Sequence, residues 1–300
     1  MLPDLLLPYS EVDTKNPLFR QKWHHLPWLN SEARLRRYTR MMLIGIPVVV
    51  FIWWLVERAN LNFADVPPEF SHRLIDLTIC AALIVMALSS LYSLPRVMGR
   101  FNAQYNSAYW DTLRLTPQYN SAILMSHDAI AQLRLWIFTA AEIGLRIAIV
   151  ALFTLNNFYG LYHAYPQQSD FVSQTFLNPT CLDIWGIILF IGIAFILEPI
   201  LRTRLIIAFH LIIAIRIRNV PLALLAGFVA LAIIHFAQLF LIVCLYTVFQ
   251  TFTTQEMGGV GIALCFVPLT GVVAILLWAF YRWLRKTALN LAYESAFRQD

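Results

Sequence analysis

Six long apolar stretches, parted by short segments that hold most of the charge, constrain this chain more than any other feature. They cover residues 41–56, 74–94, 135–155, 184–201, 220–249 and 260–281. A helix needs roughly 20 mostly apolar residues to cross a bilayer. Only helices and closed barrels satisfy their own backbone in lipid. The first stretch is short for a span unless its helix begins earlier. Composition agrees with spans rather than a soluble core: 59% of residues are hydrophobic and 13% charged, against about 25% charged in ordinary domains. The expected fold is an all-α polytopic membrane protein with six transmembrane helices.

Charge placement orients it. Of the 22 Lys and Arg residues, Arg58 and Arg73 fall in segments on one side and Arg146 lies within a span. The other nineteen share the opposite side, which the positive-inside rule makes cytoplasmic. Both termini are then cytoplasmic, in the inner (plasma) membrane. Residues 1–40 form an N-terminal arm, 41–286 the six-span domain, and 287–300 a cytoplasmic tail. The arm interleaves Lys15, Arg20 and Lys22 with Leu18, Phe19, Trp23 and Trp28. It reads as an amphipathic interface helix on the lipid surface or as a solvated basic flank. Ser31 is placed to cap a helix that runs into the first span. The opening residues MLPDLLLPYS lack the basic region of a signal peptide. Residues 205–215 are too few to span alone; they continue the fourth helix or lie at the interface.

Residues 95–134 are polar enough to be wet and patterned enough to fold. Asn106 or Ser107 is placed to cap a short helix over 108–115, with Asp111 early and Arg114 late, as the helix dipole favours. Tyr109, Trp110 and Leu113 share a face at helical spacing. Thr116-Pro117 reads as an N-cap with proline at the first helical position, starting a second helix at once.

Inside the spans, Glu142 and Arg146 stand four residues apart in the order that favours a pair. Two central charges cost roughly 5–7 kcal/mol to insert, and eleven Leu, Ile, Val and Phe in the same span return about 3–7. The pair either lines a polar path or subunit seam, or serves only to let its helix insert. Glu198 precedes Pro199 near the inner end of the fourth span, within reach of Arg202. His210 and His235 are single histidines on apolar helices, expected to be hydrogen-bonded structure. The four cysteines have no metal or redox spacing and read as small buried residues. No metal cluster, phosphate-cradling glycine loop or Gly-x-Ser-x-Gly turn is present. The expectation is therefore no catalytic residue, no metal, no cofactor held by this chain and no nucleic-acid partner. Energy for any work must come from an ion gradient or another subunit.

The segment Trp110-Asp111-Thr112-Leu113-Arg114-Leu115-Thr116-Pro117 resembles the cytoplasmic segment between the second and third spans of type-2 permeases, the membrane subunits of ABC exporters. Asn16-Pro17-Leu18-Phe19-Arg20 is similar to the Asn-Pro motif before their interface helix. The chain differs from that pattern at Gln104, Asn106, Ala108-Tyr109 and His127-Asp128. The resemblance implies a coupling helix over 109–115 that docks on a separate ATPase subunit, which binds ATP and Mg. It makes Tyr109, Trp110, Asp111, Leu113, Arg114, Thr116 and Pro117 the coupling residues, Trp110 and Leu113 its apolar anchor. It also implies a pathway formed with a second copy or a homologous permease, in contact with membrane lipid. An ion-driven transporter using Glu142 and Arg146, or a membrane scaffold without transport, are the other classes open to this composition.

Overall fold

The computed structural model describes residues 16–24, 26, 31–60, 68–115, 120–164, 179–254 and 259–297. In 58–60, 68–72, 120, 156–164, 179–191, 240–254, 259–270 and 273–274 it describes the backbone alone. Thr116, Pro117 and Trp28 lie outside the described residues. The elements, in order, are α1 (Pro17–His24), α2 (Glu32–Arg40), a π-helical turn (Met41–Gly45), α3 (Ile46–Asn60), α4 (Pro68–Ser93), a second π-helical turn (Leu94–Gly99), α5 (Arg100–Tyr105), α6 (Ala108–Arg114), α7 (Asn120–Ala164), α8 (Pro179–Arg216), α9 (Val220–Thr254) and α10 (Gly259–Phe297). No strand occurs among the described residues. Four of the described helical stretches are long and apolar enough to cross a membrane: Glu32–Glu57, Arg73–Tyr105, Ser121–Leu155 and Val220–Leu239. The chain is an all-α membrane protein.

The first span gains its length from its N-terminal side. Ser31 caps α2, its side chain accepting from Arg34 N at 3.4 Å, and the helix runs through the π-helical turn into α3. That wide turn lies just before Pro47, and the second begins beside Pro95. A proline removes an intrahelical donor and crowds the preceding turn, so a locally widened helix takes it up without a break. Other boundaries differ from the apolar runs. Residues 156–164, expected in a loop, continue α7, whose 45 residues measure roughly 68 Å at 1.5 Å each. Residues 205–215 continue α8, and 287–297, expected as a tail, continue α10. These helices outrun the roughly 30 Å hydrocarbon core.

Burial follows from that excess. Exposed large apolar side chains line α3, α4 and α9 and part of α10, for example Val49, Leu83, Leu225 and Ile275, as lipid-facing surfaces should. The tight core lies toward the α5–α6 end, where Met98, Phe101, Trp110, Ile123, Ile207, Leu211 and Ala292 are buried together. On α10, Ala288, Ala292 and Ala296 are buried at four-residue spacing, and α8–α10 is the most extensive helix pairing among the described elements. Small residues at that spacing let two helices approach closely. Gly144 on α7 enforces another close approach. A Cβ there would lie 2.2 Å from the Met42 carbonyl oxygen, so no larger residue fits.

The arm does not spend its apolar face on lipid. Phe19 and Leu35 pack with Ala129, Ile130, Leu133 and Trp136 of α7, and Trp136 Nε1 donates to Thr39 Oγ1 at 2.8 Å. Asn16 explains the local geometry: its Oδ1 caps Leu18 N at 3.0 Å with Pro17 at the first helical position. Its amide also donates to Ser126 Oγ of α7 at 3.0 Å.

Candidate functional site

Two polar assemblies occupy α7 and its neighbours. The first joins α7 to α8. Glu142 Oε1 accepts from Arg146 Nη2 at 2.7 Å, and Glu142 Oε2 accepts from Arg202 Nη2 of α8. Glu198 Oε2, one turn before Arg202, stands 2.8 Å from Arg146 Nη2 and 3.8 Å from Arg202 Nη1. It has no hydrogen bond in proper geometry, so both of its contacts are Coulombic. Two carboxylates thus face two guanidiniums, and the formal charge of the quartet cancels. Glu142 is 1% exposed and Arg202 2%. Removing an ion from water costs several kcal/mol even after relaxation, so such groups stand only in mutual compensation.

The quartet makes further contacts around it. Arg146 Nη1 donates to the Phe195 carbonyl at 2.7 Å, with the guanidinium 4.5 Å from the Phe195 ring centroid. Gln238 of α9 donates to Glu198 Oε1 and, at 3.2 Å, to the Tyr281 hydroxyl of α10. Gln238 Oε1 meets His235 Nδ1 at 3.1 Å, and His235 Nε2 meets Ser90 Oγ of α4 at 2.9 Å. The chain of contacts therefore ties α4, α7, α8, α9 and α10. A small cavity lined by Ser90, Ser93, Arg202 and Thr203 adjoins it. Its volume of about 10 Å³ has room for about one water.

The second assembly holds the short helix α6. Ser107 stands at its N-cap position without a capping bond from its side chain; its hydroxyl donates back to the Gln104 carbonyl at 2.7 Å. Trp110 is 3% exposed and sits among Phe101, Tyr105, His127 and Phe297, with ring centroids 5.1–5.9 Å away. Leu113 is buried in the same core. The apolar face expected to anchor a partner thus packs on the chain's own bundle, because Trp110 fills the aromatic space among α5, α7 and α10. The outer face carries Tyr109, Asp111, Thr112 and Arg114, and Leu115 beyond it is 86% exposed.

The loop is fastened to α8. Asn102 is fully buried, and its amide donates to the carbonyls of Ala214 (2.8 Å) and Ile217 (2.6 Å). Asn106 donates to Asn102 Oδ1 and to the Arg218 carbonyl, both at 3.1 Å. Helix C-termini leave carbonyls without intrahelical partners; here Asn102 satisfies that of Ala214 in the last turn of α8, and with Asn106 holds the carbonyls of Ile217 and Arg218 just beyond it. The helix carrying Glu198 and Arg202 is therefore clamped at one end by the segment carrying α6.

Sequence reasoning named Glu142, Arg146 and Glu198, and the structure unites them. It placed Arg202 within reach of Glu198, as found, and missed Gln238, Tyr281, His235 and Ser90 as members. One signal was present: Glu142–Arg146 and Glu198–Arg202 repeat the same Glu-x-x-x-Arg spacing in two spans, which lets two helices pair crosswise. His235 is hydrogen-bonded as expected. His210, only 1% exposed, has a hydrogen-bond partner on neither ring nitrogen. Cys80 is exposed on α4 rather than buried. Among the described residues no group of His, Cys, Asp and Glu is arranged to hold a metal. Comparison with protein-family models, curated proteins and solved structures finds no match.

Proposed function

We propose that this chain is the membrane subunit of an ATP-driven ABC exporter of the type-2 permease kind, with six spans and both termini in the cytoplasm of the inner membrane. A dimer, of two copies or with a homologous permease, forms the pathway. A separate ATPase binds ATP and Mg and docks on the outer face of α6. The observation that carries this reading is the mounting of α6. Its inner face is locked by Trp110 and Leu113, its outer face offers Tyr109, Asp111, Arg114 and Leu115, and Asn102 and Asn106 tie its base to α8. A push on the outer face reaches α8, and through Glu198 and Arg202 the spans, without passing through a soft joint. Aromatic and Arg side chains beside an exposed leucine also suit an interface anchor.

Affinity purification of the full chain from its native membranes tests the proposal. An ATPase should be recovered, and Tyr109→Ala with Leu115→Ala should lower its recovery at least tenfold while leaving membrane insertion and thermal stability as they were. Recovery of the chain free of any nucleotide-binding protein would overturn it.

A second reading, an ion-driven transporter, draws on the polar chain through five helices with His235 and Glu198 in it. Transport in ATP-free vesicles that an ionophore abolishes would favour it. Transport that needs ATP and ignores the ionophore would exclude it.

A further inference from the structure

A cleft opens beside α6 where α1, α5, α7 and the second π-helical turn meet. Lys22, Gln104, His127 and Arg134 form its polar wall, and Phe101 and Leu211 its apolar floor. Lys22 reaches in from the arm: its Nζ is 2.9 Å from His127 Nε2 and 5.7 Å from the Tyr109 ring centroid. Among the described residues no carboxylate lines the cleft. Arg134 and Arg100 both oppose the charge on Lys22, and Arg134 has a carbonyl oxygen, that of Arg96, as its acceptor at 3.1 Å. Nearby Asp128 accepts from Arg285 (2.7 Å) and Gln132 (2.8 Å).

Partly buried cations with no acid among the described lining residues are costly, so the mouth of the cleft favours a negative charge from outside the chain. We propose that it binds a phosphate-bearing anion, with the Lys22 ammonium and Arg134 guanidinium as the charged donors and Gln104 as a neutral one. Its position favours a lipid headgroup as the source. On α4, Ile84, Leu88 and Leu91 are exposed at helical spacing, and the stripe ends at Tyr92 and Arg96, the guanidinium lying 5.7 Å from the Tyr92 ring centroid. Acyl chains along the stripe would bring a headgroup to Arg96 and Arg134. Arg is suited to bidentate phosphate contacts, and Lys serves as a point charge. Burial, first, and then Arg134 and Arg100 bring the Lys22 amine down to about 8, a shift a bound anion would reverse. Lys22 also touches Tyr109, so occupancy bears on the arm and α6 together.

The test uses the full chain in lipid nanodiscs. Lys22 is one of three lysines, with Lys15 and Lys286, so brief acylation at pH 8 followed by mass spectrometry reads each amine. Three conditions are compared: phosphatidylcholine in chloride buffer, phosphatidylcholine with inorganic phosphate, and a phosphatidylglycerol mixture in chloride buffer. A several-fold fall in Lys22 labelling, with Lys286 unchanged, is expected in the phosphatidylglycerol discs, and Arg134→Gln should abolish it. The same fall with inorganic phosphate in phosphatidylcholine would assign the site to a soluble phosphate. Equal Lys22 labelling of the wild-type chain in all three conditions would overturn the proposal. So would protection that survives in a folded Arg134→Gln protein.

Discussion

Arg134 and Glu142 lie eight residues apart on α7, roughly 12 Å of helix rise, and they belong to clusters built on opposite terms. Around Glu142, two carboxylates and two guanidiniums interlock across α7 and α8 and extend through Gln238 to α9 and α10. Around Arg134, cations face a histidine and a glutamine, and no carboxylate is among the described residues that line the cleft. The balanced cluster buries Glu142, Arg146 and Arg202, where an unpaired charge is hardest to sustain. In the unbalanced one Lys22 and Arg134 are only partly buried, which leaves them open to an external anion. Closure within the chain marks a structural joint; incompleteness marks a place of exchange.

The comparison is broken most directly at the quartet. Glu142→Gln strips Arg146 and Arg202 of a charged acceptor, and breaking a buried pair on one side costs roughly 3–5 kcal/mol. A large fall in thermal midpoint in nanodiscs is expected. Replacing Glu142 and Arg202 together by apolar residues should cost less than the two single changes summed, a coupling that a double-mutant cycle measures. Simple additivity would show that the quartet does not act as a unit.

Gly144→Ala comes next. The backbone carbonyl of Met42 cannot swing aside for a Cβ at 2.2 Å, so the first π-helical turn and α7 must part, at about 1–3 kcal/mol by analogy with overpacked cores. Unchanged stability would mean that the approach of these helices is loose. Asn102→Ala leaves the Ala214 and Ile217 carbonyls without these donors, at about 1–3 kcal/mol. Its sharper readout is hydrogen exchange, which should quicken in α5, α6 and the last turn of α8 and stay unchanged near the quartet. The smallest effect belongs to Arg36→Ala. Its 2.6 Å pair with Glu32 is about half exposed on both sides, and such pairs contribute about 0–1 kcal/mol. A loss as large as that of Glu142→Gln would remove the distinction between wet and buried charge.

Much of this architecture is legible in the residues, for identifiable reasons. Apolar run length reports spans because lipid admits few alternatives, and the Ser31 cap and the Glu142–Arg146 pair are local in sequence. What stayed hidden depends on partners far along the chain. Trp110 and Leu113 form an apolar face whichever way α6 is turned; only Phe101, His127 and Phe297, from three other helices, settle that the face points inward. Asn156, Asn157 and Gly160 have loop character, yet α7 continues through them, tertiary context overriding weak propensity. Gln238 and Tyr281 carry no sequence mark of a charge network, since a lone polar residue in a span looks the same whether it contacts a carboxylate or another helix's backbone.

The central claim is that energy from a nucleotide-binding partner enters through the outer face of α6. A photo-crosslinking residue in place of Leu115, in the full chain in native membranes, addresses it directly. The account predicts a crosslink to an ATPase subunit, with a yield that changes when ATP is trapped on the partner. Crosslinks to lipid or to the chain itself alone, indifferent to nucleotide, would contradict it.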